Sequence, residues 1–412
     1  MIKYNTFTLD NGLKVIHHQD KTTPMVVVNT IYNVGARDEN ENRTGFAHLF
    51  EHLMFGGSKN IESYDSPLQL AGGECNAFTS NDITNYYNTL PAENLETALW
   101  LESDRMLELA FTPKSLEVQR QVVIEEFKQR YLNQPYGDVW LQFRPLIYKN
   151  HPYKWATIGK NIQHIEEATM EDVKAFFYKH YGPQNATLVI GGHVDFDRAR
   201  ELVTKWYKDI PARDKYVREI PAEPKQIEER RLNLDQKVPT DALYMSFRMG
   251  SRLTDEHYLG DLTSDILSGG KSSRLYKSLV KDKKIFTDLS AYILGGWEDG
   301  IFLFSGHLSE GIDFETAEKE IWNEINKLIE HSISENELTK VKNKFHTAKA
   351  FQEQSLLNRV MNLAMFDQMG MLDEINDEKE IYNTINTDDL VQFSKKIFTK
   401  SNLSVLTIKA TK

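Results

Sequence analysis

The second half of this sequence repeats the first, and that repetition limits the fold more than any other feature. The strand-like run from Met25 to Val34 ends in Gly35-Ala36-Arg37, and the run from Tyr244 to Met249 ends in Gly250-Ser251-Arg252. Each is followed by a helical segment that stops at a glycine pair, Gly56-Gly57 and then Gly269-Gly270. Thr169-Met170-Glu171-Asp172-Val173, a helix and the strand at Leu188 match Thr387-Asp388-Asp389-Leu390-Val391, a helix and the strand at Leu403. The offset is roughly 215 residues, far too long for a solenoid repeat, so two copies of one unit are expected. Each copy mixes strands and helices, which predicts an α+β class built from two repeated αβ rolls, each a mixed sheet flanked by helices. The expected division is an N-terminal unit over residues 1–210, a linker over 211–226 and a C-terminal unit over 227–412. The linker carries Pro211, Pro221 and Pro224 within a strongly charged stretch.

Chemistry is concentrated in the first copy. A short helix is predicted around His48-Leu49-Phe50-Glu51-His52, with Thr44 as its N-cap and Gly56-Gly57 as its stop. Two histidines four apart share one helix face and can hold one metal ion, for which Zn²⁺ is the usual occupant. Glu51 borders that face, where a carboxylate can take a proton from water at the metal. This HxxEH order reverses the commoner HExxH. Such a five-residue string also arises by chance, as two surface histidines and an ion-pairing glutamate. Here the helix is apolar outside the motif and capped at both ends, and a carboxylate-bearing helix follows it. In the second copy the equivalent positions are Asp261, Ser264 and Asp265, so one metal site per chain is expected, in the first half.

A hydrolytic zinc needs a third protein ligand and an open position. The other histidines are scattered, apart from the adjacent His17-His18. Glu125 and Glu126, on a helix predicted from about Pro113 to Tyr131, are the better candidates, and either could reach the metal. Glu126 lies a turn from Val122 and Val123, whereas Glu125 lies nearer Gln121, Lys128 and Gln129, a wetter face that favours Glu126.

Composition removes several other functions. A chain of 412 residues with 40% apolar and 26% charged residues is a globular protein of two or more domains. A formal net charge of −11 argues against nucleic acid and against a basic membrane-surface patch. Met1 to Asp10 lacks the apolar core of a signal peptide, and no stretch has the length of a transmembrane segment. A single cysteine, Cys75, rules out an intrachain disulfide, and a cytoplasmic location is expected. Ser268-Gly269-Gly270-Lys271-Ser272-Ser273 looks like a phosphate-binding loop, but Asp265 stands where that motif begins with glycine, so the segment is read as a helix stop.

His48-x-x-Glu51-His52 followed far downstream by Glu126 resembles the pitrilysin/insulinase family of zinc peptidases, M16. Asn76-Ala77-Phe78-Thr79 with Thr84-Asn85-Tyr86-Tyr87 is similar to the family's substrate-strand region. Gln119-Arg120-x-Val122-Val123-x-x-Glu126, Asn133-Gln134-Pro135-Tyr136-Gly137 and His151-Pro152-Tyr153 resemble its bacterial short-chain, processing-peptidase-like members. The resemblance implies the LuxS/MPP-like metallohydrolase fold, with two roll domains facing each other. It implies that His48, His52 and Glu126, not Glu125, hold one Zn²⁺ per chain, and that Glu51 is the general base. A peptide substrate would add as a strand along Asn76, Ala77 and Phe78. The expected function is that of a zinc-dependent endopeptidase, or a subunit of one, acting on peptides or unfolded segments. A non-catalytic core subunit of a larger complex and a narrow-specificity presequence-processing peptidase are the alternatives.

Two positions depart from the family pattern. Gln119 stands where a glutamate often supports the third ligand from two helical turns away. In the second copy, the arginine and tyrosine that help hold substrate in self-sufficient members fall at Val280 and Thr287, while Arg274 and Tyr276 read as structural residues of the preceding helix. The implied partner is a related M16 subunit that supplies the arginine–tyrosine pair in a heterodimer, or else a second copy in a homodimer.

Overall fold

The computed structural model describes residues 1–330 and 333–411. Its first compact unit comprises Met1–Leu132, His151–Pro221 and Ala350–Asn376. Six strands form its sheet: β1 (Asn5–Thr8), β2 (Lys14–Gln19), β3 (Met25–Tyr32), β4 (Glu74–Thr79), β5 (Thr84–Pro91) and β6 (Ala186–Gly192), in the order β1-β2-β6-β3-β5-β4. The β1–β2 hairpin turns at Gly12, whose φ of 88° suits glycine. Asn11 in that turn donates to the carbonyls of Tyr207 (2.8 Å) and Ile210 (3.0 Å), which fixes the hairpin to the end of the Phe196–Tyr207 helix. β3 is buried on both faces, as its Val-Val-Val-Asn-Thr-Ile run predicts. Asn29 and Asn85 exchange amide hydrogen bonds across β3 and β5 at 2.8 and 2.9 Å, so neither buried amide goes unsatisfied.

The second unit comprises Asn133–Asn150, Ala222–Lys349 and Asp377–Lys412. Its strands are β7 (Arg230–Gln236), β8 (Ala242–Met249), β9 (Phe286–Leu294), β10 (Gly300–Leu308) and β11 (Leu403–Ala410), in the order β7-β11-β8-β10-β9. Placing β7 on β2, β11 on β6, β8 on β3, β10 on β5 and β9 on β4 reproduces the first sheet strand for strand, without a partner for β1. The same single parallel contact recurs, β2 with β6 and β7 with β11, and the other shared pairings are antiparallel. The repeat read in the sequence is thus a repeat of topology, and both units are mixed sheets flanked by helices. The core of the second unit gathers Phe247, Phe302, Phe304 and Phe398 in edge-to-face and tilted pairs, with centroids 5.0–6.1 Å apart. No described helix is long and apolar enough to cross a membrane.

The units do not follow a linear division into 1–210 and 227–412. The Val139–Ile147 helix belongs to the second unit and packs on β7 and β11, although it lies early in the chain. Reciprocally, the Leu356–Gln368 helix belongs to the first unit and packs on β6, β3 and β2. Gly191 on β6 makes room for it: a Cβ there would lie 2.3 Å from Val360 Cγ2. Thr187 on β6 donates to Asp367 (2.6 Å) and accepts from Gln368 (2.7 Å), and Arg359 pairs with Asp20. The linker is also less free than its prolines suggest, since residues through Pro221 belong to the first unit. Arg213 donates to the last carbonyls of the Leu95–Leu107 helix, Met106 O (2.9 Å) and Leu107 O (3.1 Å), where the helix dipole favours a cation. Arg218 pairs with Asp38 at 2.6 Å.

The seating of the Leu356–Gln368 helix predicts the outcome of a substitution. Gly191→Val drives a Cβ and two methyl groups against Val360 and Leu356 and is expected to destabilise the first unit by about 1–3 kcal/mol, read by denaturant unfolding. An unchanged midpoint would mean that this helix is not held against β6.

Candidate metal centre

The motif helix spans Phe46–Leu53 and turns its apolar side inward: Phe46, Ala47, Leu49, Phe50 and Leu53 are buried. Phe50 stacks on Phe176 (5.3 Å) and Tyr181 (4.9 Å), and its carbonyl accepts from the Tyr86 hydroxyl at 3.2 Å. These contacts fix the helix by the face opposite its histidines. Behind them lies a buried ion pair that the sequence did not announce. Glu102 accepts from Thr30 (2.8 Å), Tyr64 (2.7 Å), Asn88 (2.6 Å) and Arg105, and Arg105 lies 4.4 Å from both the Tyr64 and Tyr86 rings. A buried pair of this kind is tolerated because every polar atom of the carboxylate is engaged. It ties β3, β5 and the Leu95–Leu107 helix to the tyrosine that holds the motif helix.

The helix does not begin as predicted. Its N-cap is Gly45, in the left-handed region at φ 89°, with no side-chain cap of its own. Thr44 instead turns to His164 Nδ1 (2.8 Å) and the Lys160 amide (2.8 Å). The capping acceptor is Glu39, from the loop before: its carboxylate accepts from the Gly45 amide (2.8 Å) and the Ala47 amide (2.8 Å). Pairing six and eight residues back falls outside any local capping box, so pattern matching could not find it.

His48 Nε2 and His52 Nε2 are 3.4 Å apart, and Glu126 Oε2 lies 3.5 Å from each. Glu126 projects from the Pro113–Phe127 helix packed against the motif helix. Glu125 points elsewhere, pairing with Lys128 at 2.7 Å with its side chain 57% exposed. Among the described residues His48, His52 and Glu126 are the one group of three or more such side chains whose ligand atoms converge, all within 4.8 Å. Ligands about 2.0–2.1 Å from a tetrahedral zinc would be roughly 3.3 Å from one another, close to the separations here. The protonation states fit as well. Burial pushes His48 down to about 4, against the pull of Glu126, so its imidazole is neutral at pH 7. The hydrogen bond from His52 holds the Glu126 carboxyl below the usual range, so it is ionised. A free lone pair and an anionic oxygen are what a divalent cation requires. Arg130 holds the second oxygen of Glu126 at 2.8 Å.

Glu51 sits beside this group, raised above the usual carboxylate range by burial, while Thr79 beside it opposes the rise. Thr79 ends β4, the edge strand of its sheet, which pairs only with β5. Asn76, Ala77 and Phe78 lie on that edge, with Phe78 37% exposed. The Ala77 amide is occupied by Asn76 Oδ1 at 2.8 Å. Cys75 on the same strand is pushed up to about 12 by burial and Asp65, so it is a neutral thiol. Gln119 touches none of the three converging side chains at hydrogen-bonding distance; its amide lies against Gly56, 3.9 Å from where a Cβ would stand.

The second unit's equivalents are used structurally. Asp261 accepts from the Tyr382 hydroxyl (2.8 Å) and Asp265 from Lys344 (2.6 Å). Arg274 is held by both oxygens of Glu337 at 2.8 and 2.9 Å. Val280 packs against the core, and Thr287 lies on β9, donating to His307 O at 3.2 Å.

The chain as a whole is similar to known proteins. Residues 14–142 match the family described as insulinase (peptidase family M16), and residues 167–345 match the peptidase M16 inactive domain. The chain is 30% identical to the zinc protease PqqE of Helicobacter pylori over 346 residues, 82% of this chain and 78% of that protein. The crystal structure of a protease from Helicobacter pylori superposes with a TM-score of 0.93 at 28% identity, covering 99% of this chain and 100% of that one. An M16 inactive-domain structure from Pseudomonas fluorescens shares the fold, with a TM-score of 0.89 at 16% identity over 100% and 98% of the two chains.

Buried neutral histidines predict the acid behaviour of the metal-free protein. His48, His180 and His257 are all pushed down to about 4 by burial, from an ordinary value of 6.5. Between those values the unfolded chain binds more protons than the folded one, so folding stability falls as the pH drops from 6.5 toward 4. The melting temperature of chelator-treated protein should decline through that window; a flat profile would contradict the buried, neutral assignment.

Proposed function

Because the chain belongs to the M16 insulinase family of peptidases, we propose that it is a zinc-dependent endopeptidase subunit with His48, His52 and Glu126 as metal ligands and Glu51 as general base. The convergence of the two imidazole nitrogens and one carboxylate oxygen, within 3.5 Å of one another, carries this reading. Bound there, zinc would supply a Lewis acid that polarises the scissile carbonyl and acidifies water. Glu51 takes a proton from the attacking water as its oxygen bonds to the carbonyl carbon, and returns it to the amine nitrogen as the C–N bond breaks. Its raised value makes Glu51 a stronger base toward the attacking water.

The substrate is read as an extended peptide or unfolded segment that adds to the free edge of β4 at Asn76, Ala77 and Phe78. Backbone hydrogen bonds then supply affinity with little dependence on sequence. Such a strand has to displace the Asn76 side chain from the Ala77 amide. The second copy offers no arginine–tyrosine pair, since Val280 and Thr287 stand there and Arg274 is committed to Glu337. The missing pair is therefore assigned to a related subunit, and the chain alone is read as incomplete. A single free cysteine fits a reducing, cytoplasmic setting.

Two results are expected. Glu51→Gln retains stoichiometric zinc while peptide turnover falls by roughly 10²–10⁴-fold, the usual size of a general-base contribution. The purified chain alone cleaves a panel of unfolded peptides poorly and gains activity when a related chain bearing the arginine–tyrosine pair is added. Robust zinc-dependent turnover by the chain alone would contradict the subunit assignment, and full activity in Glu51→Gln would contradict its role as base.

A further inference from the structure

The motif helix is only eight residues long. Helices of that length do not hold themselves in water, so their ends must be fixed from outside. Its N-terminus has no local means of doing so: Gly45 has no side chain, and the first turn contains no acidic residue. The amides of that turn need an acceptor. Glu39 supplies one to each of two amides, with one oxygen on the Gly45 amide and the other on the Ala47 amide, each at 2.8 Å. The next residue along is His48, whose Nε2 must meet Glu126 on a different helix.

We propose that Glu39 is a positioning residue for the metal centre: its two carboxylate oxygens fix the first turn of the motif helix and so the place of His48 relative to Glu126. This rests on the zinc reading of His48, His52 and Glu126. Metal sites tolerate displacements of only about 0.5 Å in their ligands, and a first turn released at Ala47 moves the histidine that follows it. Glu39 is 7% exposed and is kept in place at a cost, which supports a role beyond filling space. Burial and the neighbouring Asp38 push its carboxyl up to about 8 although the two amides pull it down. Asp38, the neighbouring charge, is paired with Arg218, and Glu39 in turn adds to the burial that raises the Tyr181 hydroxyl. A buried carboxylate that disfavours its own charged form persists where its geometry is needed.

Glu39→Gln separates this role from mere support of the fold. Glutamine keeps the shape and offers one oxygen, but its NH₂ faces an amide donor, so one of the two contacts is lost. Zinc dissociation constants are measured by competition with a chromophoric chelator, well below the melting temperature, for wild type, Glu39→Gln and Gly191→Val. The last is a destabilised control in the same unit but away from the helix start. Glu39→Gln is expected to bind zinc roughly tenfold more weakly, as loss of a residue supporting a ligand does, while Gly191→Val binds as wild type does. Equal affinity in all three, or an equal loss in both variants, overturns the proposal. Wild-type protein that takes up no zinc overturns the metal reading itself, and this inference with it.

Discussion

The metal centre depends on holding a short helix and a longer one in one register. His48 and His52 lie on one helix and Glu126 on another, with a strand hairpin and two α-helices between them in sequence. Their ligand atoms nevertheless approach within 3.5 Å. Burying these groups costs desolvation, which disfavours the charged form of both His48 and Glu126. The surroundings therefore have to impose the arrangement. Phe50 and Tyr86 hold the motif helix from behind, the Glu102–Arg105 pair holds Tyr86, and Glu39 holds the first turn. A stable fold and a preorganised site draw on the same buried polar groups here.

The sequence revealed whatever depends on spacing. A spacing of four between histidines sets a helix face, and a glycine pair ends a helix, so the motif helix and its repeat are directly legible. The two sheets share one strand order, as the repeat predicts, and β4 lies at an edge of its sheet. Glu126 was a harder choice. Adjacent residues on a helix point about 100° apart, and a run with Val118 and Val122 exposed and Val123 buried does not separate the faces cleanly. Family resemblance pointed to Glu126, and the helix packing brings that carboxylate, not Glu125, to the histidines.

Features set by distant partners could not be read. An amphipathic pattern says that a helix has a sheet to cover but not which one, so the units to which the Val139–Ile147 and Leu356–Gln368 helices belong are not legible in it. Thr44 has the chemistry of an N-cap, yet a loop carboxylate takes the position and Thr44 serves His164. Arg213 and Arg218 turn a proline-rich stretch that reads as a linker into a strap along the first unit. In each case a long-range hydrogen bond overrode a sound local preference.

The central claim is that His48, His52 and Glu126 form a zinc site. X-ray absorption spectroscopy on the zinc-loaded protein addresses it most directly. The account predicts an inner shell of nitrogen and oxygen only, with the outer scattering of two imidazoles, lost in His48→Ala and His52→Ala. A sulfur scatterer from Cys75, or a spectrum unchanged by either substitution, would contradict it.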